Sequence, residues 1–239
     1  MSYIDKNFKY TDPEGYDKRL FSNPLESYVT AVWYNFLKDE VRKITQEKIV
    51  AELGCGTCEY TQHMDAAKEI YAIDISQEMI NFGKNKIKNL NNVRFLLESA
   101  TNTSLPDNHF DTVIVIGLID YVNPELLMTE VRRITKIGGY FIITFPNKYN
   151  FHHIFMRIYG KIFKRNRKKE FSLFKIKKLI KKYNFKIEKV KSHGMIFYTR
   201  GRLQKYCVPI WKFLDFIYAP FQNIFPLGCN IYIKTVKND

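Results

Sequence analysis

Cysteine is scarce in this sequence, with 4 in 239 residues. That is too few to staple a chain of this length, which excludes a disulfide scaffold. Cys55 and Cys58 form one CxxC, whereas Cys207 and Cys229 stand single and far apart. This spacing does not build a four-ligand zinc site, so no metal is expected, and a reducing, cytoplasmic setting is the default. Long uncharged apolar runs are also missing. Residues 1–11 contain Asp5, Lys6 and Lys9 and no apolar stretch of the kind a secretory leader needs. A membrane-spanning helix takes about 20 mostly apolar residues. The best window, 208–227, is interrupted by Pro209, Lys212, Asp215, Pro220 and Pro226.

Acidic residues are the other shortage: 24 Asp and Glu face 38 Lys and Arg, a formal net charge of +14. The imbalance is local. Arg157–Lys191 holds fifteen Lys and Arg against Glu170 and Glu188, or +13 within that window. A general preference for lysine would spread charge along the chain, so the clustering points to an anionic surface meeting this face. The 46% hydrophobic content is ample for a core and excludes a disordered chain.

Punctuation then organises the chain. Asn23, Pro24 and Glu26 read as cap, first-turn proline and capping-box acid of a helix. Its apolar stripe is Val29, Val32, Trp33, Phe36, Leu37, Val41 and Ile44. Strands are expected at Ile49–Leu53, Ile70–Asp74, Val93–Leu97, Asp111–Ile116 and Tyr140–Phe145, with helices opened by Ser76 and Asn123 between them. Gly138-Gly139 is placed as a helix C-cap. Regular alternation of this kind calls for an α/β fold with a doubly wound, mostly parallel sheet. After Phe145 come a basic insertion, a basic helix capped by Ser172, a strand-like Phe185–Phe197, an aromatic Tyr198–Leu227 and a last strand, Cys229–Val236. The division is thus 1–48 as N-terminal cap and first helix, 49–147 as core, and 148–239 as insertion, last helix and final strands, all one domain.

The first two strands carry the chemistry. Glycines at Gly54 and Gly56 let the backbone turn at a strand end and approach a ligand closely. The helix expected next offers free N–H groups there. An acid closing the following strand, Asp74, suits two ribose hydroxyls. A dinucleotide is disfavoured because the third position of G-x-G-x-x-G falls on Glu59, a carboxylate beside a pyrophosphate.

The run Val50-Ala51-Glu52-Leu53-Gly54-Cys55-Gly56-Thr57 resembles motif I of the class I methyltransferases. Tyr71-Ala72-Ile73-Asp74-Ile75-Ser76-Gln77-Glu78-Met79 is similar to their second motif. Glu98-Ser99-Ala100, Phe110-Asp111 and Gly138-Gly139 fit as well, so the resemblance covers about Ile49–Phe145. It implies a seven-stranded sheet and S-adenosylmethionine as cofactor. It also implies that Glu52, Gly54, Cys55 and Gly56 surround the methionine part and that Asp74 binds the ribose. Ile75 and Met79 would pack on adenine, with Ser99 and Ala100 reading its edge, and Ile116 and Gly117 would lie near the sulfonium. Arg19, ahead of the first long helix, is either a clamp on the cofactor carboxylate or a solvated charge. Two departures stand out: Cys58 replaces the third motif glycine and Ser99 replaces an acid.

The acceptor side is less explicit. Strand four ends in Gly117-Leu118-Ile119-Asp120-Tyr121, which lacks the Asn/Asp-Pro-Pro-aromatic motif of amino-methylating nucleic-acid enzymes. A small-molecule acceptor is the more natural class. Asp120 and Tyr121 are candidates to touch substrate, although Asp120 could equally cap the next helix. His152 and His153 follow strand five, where a base could reach the pocket. The aromatic residues of Cys207–Leu227, beside the basic window Arg157–Lys191, read either as a pocket lid or as an anionic-membrane contact. Both readings favour O- or N-methylation of a hydrophobic or lipid-like acceptor. An RNA-binding methyltransferase and a non-catalytic adaptor are the alternatives.

Overall fold

The computed structural model describes residues 12–20, 24–150, 171–193, 204–222 and 226–239. Helices α1 (Pro13–Leu20) and α2 (Pro24–Thr45) precede β1 (Ile49–Leu53), β2 (Glu69–Asp74), α3 (Gln77–Lys86) and β3 (Val93–Leu97). Then follow β4 (Phe110–Ile116), α4 (Pro124–Ile134), β5 (Thr135–Pro146), α5 (Leu173–Lys182), β6 (Phe185–His193), α6 (Gln204–Tyr218) and β7 (Asn230–Lys237). All seven strands join one sheet in the order β3-β2-β1-β4-β5-β7-β6.

β1 to β5 pair in parallel, while β7 is antiparallel to both of its neighbours, β5 and β6. The sheet is therefore the expected doubly wound α/β arrangement, mixed but mostly parallel. Because β6 runs in the same sense as β5, both end at one edge, called here the carboxyl edge. The final strands belong to this same sheet.

Side-chain alternation sorts the core into two layers. Ala51, Leu53, Val113, Val115, Phe141 and Ile143 pack with Leu127 and Val131 of α4 and Ile176 and Ile180 of α5. The opposite faces of the same strands, through Val50, Ile114 and Ile142, meet Val41, Leu37 and Trp33 of α2. Caps set the helix starts. Ser76 accepts from Met79 N, Asn123 from Glu125 N and Leu126 N, and Ser172 from Lys175 N. Asn184, at φ 57°, takes the left-handed turn into β6.

One expectation is corrected: Gly138-Gly139 does not cap α4, which stops at Ile134 with Thr135 already extended. The pair lies inside β5, where the register with β4 shifts between Phe110 and Thr112, and Gly138 sits at φ 73°. A Cβ on Gly139 would come within 2.9 Å of Lys136 O and 3.1 Å of Phe110 O, so the bulge needs glycine there. Of the expected strand Phe185–Phe197, β6 holds Phe185–His193, and residues 194–197 lie outside the described residues. Within the aromatic stretch a helix, α6, forms, with Pro209 inside it.

Candidate active site

The order of strands reverses between β1 and β4, and at such a switch point a crevice opens beyond the strand ends. β1 leaves the sheet through Gly54 (φ 78°), whose amide, like that of Cys55, donates to Ile73 O at 2.8 and 2.9 Å. Gly56 follows at φ 52°, and a Cβ there would meet nothing within 4 Å. Asp74, ending β2, accepts from Gly56 N at 2.9 Å on one carboxylate oxygen and from Ser76 N at 2.9 Å on the other. A carboxylate offers about four lone-pair sites. Asp74 is thus locked in orientation with capacity for two further donors. Burial raises its pKa against the pull of these amides.

Glu52, the residue before this turn but one, is fully enclosed and accepts from Thr61 Oγ1 at 2.5 Å. Burial pushes its carboxyl up to about 8, with the Asp74 charge adding to the rise and the Thr61 hydroxyl opposing it. The expected helix after the glycine turn is absent. Cys58 takes φ 60°, which stops helical progression, and only a single 3-10 turn forms, at Thr61–His63. That turn is what brings Thr61 back onto Glu52. Cys55 and Cys58 are buried free thiols, and their mutual hydrogen bond and burial raise the Cys55 pKa well above its ordinary value. α3 packs so closely over them that a Cβ on Gly83 would come within 2.5 Å of Cys58 Sγ.

Gly117, where β4 ends, mirrors Gly56: it sits at φ 65°, and a Cβ would meet nothing within 4 Å. Its amide donates to Thr144 Oγ1 at 3.1 Å, tying the ends of β4 and β5 together. Ile116 is half-buried just before it. On the β2–β3 side, Ile75 is 63% exposed beside the buried Met79. Ser99 Oγ pairs with Thr101 Oγ1 at 2.9 Å, and Ala100 is buried beneath.

Residues 51–143 match the family model described as a methyltransferase domain. Among curated proteins, the chain is 29% identical over 137 residues to a demethylmenaquinone methyltransferase of Geobacillus sp. (strain WCH70), covering 50% of this chain and 58% of the relative. One from Geobacillus stearothermophilus is 31% identical over 111 residues, 43% of this chain and 47% of the relative. The chain thus spans about half the length of these relatives. Among solved structures, a magnesium protoporphyrin IX methyltransferase from Synechocystis PCC 6803, with S-adenosylhomocysteine bound, superposes with TM-score 0.67 at 14% identity, covering 94% of each chain. A methyltransferase from Thermotoga maritima, described as a possible histamine N-methyltransferase, gives 0.66 at 19%, covering 94% of this chain and 95% of that one.

Residues 51–143 thus match a methyltransferase domain, and the chain shares the fold of these methyltransferase structures.

The residues of this cradle fit S-adenosylmethionine, the cofactor that the matched domain implies. Gly56 and Gly117 leave open space where side chains would intrude, and Asp74 keeps acceptor sites for a ribose diol. The Glu52 carboxyl lies buried beneath the turn, where its charge would favour a cationic methionine group above it, and Ile75 offers an apolar surface to a base.

The acceptor-side candidates divide. His152 and His153 lie outside the described residues. Arg19 sits on α1, but its side chain is outside them as well. Asp120 and Tyr121 occupy the turn after Gly117, where Tyr121 N donates to Leu118 O at 2.9 Å. Asp120 does not cap α4, because Asn123 does.

Two residues escaped the sequence reading. Thr61 lies nine positions from Glu52, a separation with no helical or strand meaning. His193 closes β6 at the carboxyl edge, against Trp33 (5.7 Å between ring centroids) and Phe36 (4.4 Å) of α2. Burial and Lys191 lower its pKa to about 4, so its ring is neutral at ordinary pH. Seeing that β6 parallels β5 would have placed it there.

Proposed function

We propose that this chain transfers a methyl group from S-adenosylmethionine to a small hydrophobic, lipid-like acceptor at an oxygen or nitrogen atom. The observation that carries the acceptor class is the aromatic cluster of Trp33, Phe36 and His193 at the carboxyl edge of β6, bordered by Lys189 and Lys191. An acceptor seated on its ring faces loses hydration there, which favours an apolar one. The curated relatives named for demethylmenaquinone support the hydrophobic class of the acceptor, though not the choice of atom.

When bound, S-adenosylmethionine supplies a methyl group already activated on a sulfonium. The protein's part is then placement and exclusion of water. Asp74 would hold the ribose, and the Gly54–Gly56 turn, with Glu52 beneath it, would border the methionine part. Gly117, braced by Thr144, keeps the backbone of β4 clear of the reacting atoms.

The test is incubation of the purified chain with methyl-labelled S-adenosylmethionine and a demethylated naphthoquinol, beside histamine as a water-soluble amine. Label entering the organic phase only with the quinol is the expected result. Label on the amine alone would overturn the acceptor class. No binding of S-adenosylhomocysteine at millimolar concentration would overturn the enzyme reading and favour an adaptor.

A further inference from the structure

Helix α6 is anchored on one side and apolar on the other. Tyr218 is its anchor. The hydroxyl shares a hydrogen bond with Ser192 Oγ at 2.6 Å and accepts from Leu227 N at 2.8 Å and Gly228 N at 3.2 Å. Leu214 turns the same way as Tyr218 and is half-buried, and the helix contacts α2. At about 100° per residue, Ile210, Phe213, Phe216 and Ile217 fall on one arc roughly 120° wide. That arc faces outward: Phe216 is 78% exposed, Phe213 62% and Ile210 58%, and Phe221 continues the surface just beyond the helix.

A helix that merely covers a core turns its apolar stripe inward. Here an apolar arc is turned outward as well, and isolated exposed hydrophobics do not line up in this way. Lys212 borders the arc, with Asp215 on the far side of the helix. At the same carboxyl edge the first turns of α5 expose Phe174, Lys175 and Lys178. Aromatic and aliphatic side chains flanked by cations match the boundary between anionic headgroups and acyl chains. RNA would pair with the lysines but leave Ile210 and Ile217 without a partner.

We propose that the outward face of α6 is a docking surface for an anionic lipid bilayer, on which the protein lies with its carboxyl edge down. α6 is 15 residues long and holds Lys212 and Asp215, so it lies in the interface and does not cross it. This inference is independent of the acceptor: it holds for any molecule methylated at that edge.

The test is cosedimentation of the full chain with vesicles of phosphatidylglycerol in phosphatidylcholine and with vesicles of phosphatidylcholine alone. The wild type is expected to bind the anionic vesicles, weakly or not at all the neutral ones, and to be partly released by high salt. The Phe213→Ser/Phe216→Ser double variant should lose about tenfold or more in vesicle affinity. Its S-adenosylhomocysteine affinity should stay unchanged, which separates loss of docking from loss of folding or of the cofactor site. A single Phe216→Ser, at the most exposed position, should show the same direction with a smaller loss. The proposal is overturned if the variants bind vesicles as tightly as the wild type, or if the wild type binds none. It is equally overturned if the wild type is a dimer that the double variant dissolves without any vesicle binding, or if it retains RNA and not lipid.

Discussion

The amide of Gly56 donates to Asp74 Oδ2 at 2.9 Å across 18 positions of sequence, so the two halves of the cofactor cradle hold each other in place. Replacing Asp74 by Ala removes the ribose acceptor and also strands the amides of Gly56 and Ser76. Hydrogen bonds to charged groups are worth about 1.5–3 kcal/mol. Asp74→Ala should therefore weaken S-adenosylhomocysteine binding by about ten- to a hundredfold in calorimetry. A change of less than about threefold would place the ribose elsewhere.

Gly56→Ala separates ligand from fold. The protein has room for the new methyl group, so the direct cost is the left-handed conformation, about 1 kcal/mol in a melt. The methyl group points into the open cradle, and cofactor affinity should fall at least about tenfold, far more than the stability change accounts for. Equal affinity would show that the open space at Gly56 is not where the cofactor lies.

Glu52 makes cofactor binding depend on pH. Its folded pKa, about 8, lies above its ordinary 4.5, so in the ligand-free protein the carboxyl is protonated at neutral pH. The native state then holds a proton that the unfolded chain has lost. Stability from this group is full below pH 4.5 and declines as pH rises to about 8. Glu52→Gln should abolish that decline in unfolding curves. A cationic methionine end favours the ionised carboxyl, so S-adenosylhomocysteine binding should release a proton near neutral pH. Calorimetry in buffers of different ionisation enthalpy measures this, and Glu52→Gln should not show it.

The fold core was legible because its signals are local. Alternating apolar runs, the caps Ser76, Asn123 and Ser172, and glycines followed by an acid each occupy a few residues. What the sequence hid is set by tertiary context. Gly138-Gly139 reads alike as a helix C-cap and as a bulge, since both need positive φ, and only the pairing of β4 with β5 chooses. Cys58 at φ 60° prevents the helix that motif I leads one to expect, and a cysteine gives no warning of that conformation. α6 is apolar nearly all round and contains Pro209, so periodicity could not mark which face is buried. For the site, Asp74 and the glycines are contiguous with recognisable strands, whereas Thr61 and His193 reach it only through folding.

Tyr218 holds α6, Ser192 and the 227–228 backbone with one hydroxyl. Tyr218→Phe keeps the ring and leaves buried donors without their acceptor. A loss of about 1–3 kcal/mol in denaturant unfolding is expected, with α6 becoming protease-sensitive first. Unchanged stability would mean that ordered water replaces the hydroxyl.

His193 sets an acid limit. Burial and the cations Lys191 and Lys189 depress its pKa, and Glu40 offsets them in part. A base with a folded pKa of about 4 against an ordinary 6.5 contributes stability above pH 6.5 that is lost as pH falls through about 4. His193→Gln should flatten the unfolding curve across that window. An unaltered acid slope would assign it to other groups.

The position of β7 bears on the order in which the molecule can be made. It slots between β5 and β6 although it follows both in the chain, and Asn230 comes 84 positions after Pro146. On a ribosome adding about 5–20 residues per second, β5 waits several seconds as an unpaired edge. Its buried Phe141, Ile142 and Ile143 are then open to another nascent strand. Translation speed through the lysine-rich middle of the message thus becomes a quality-control variable for this protein.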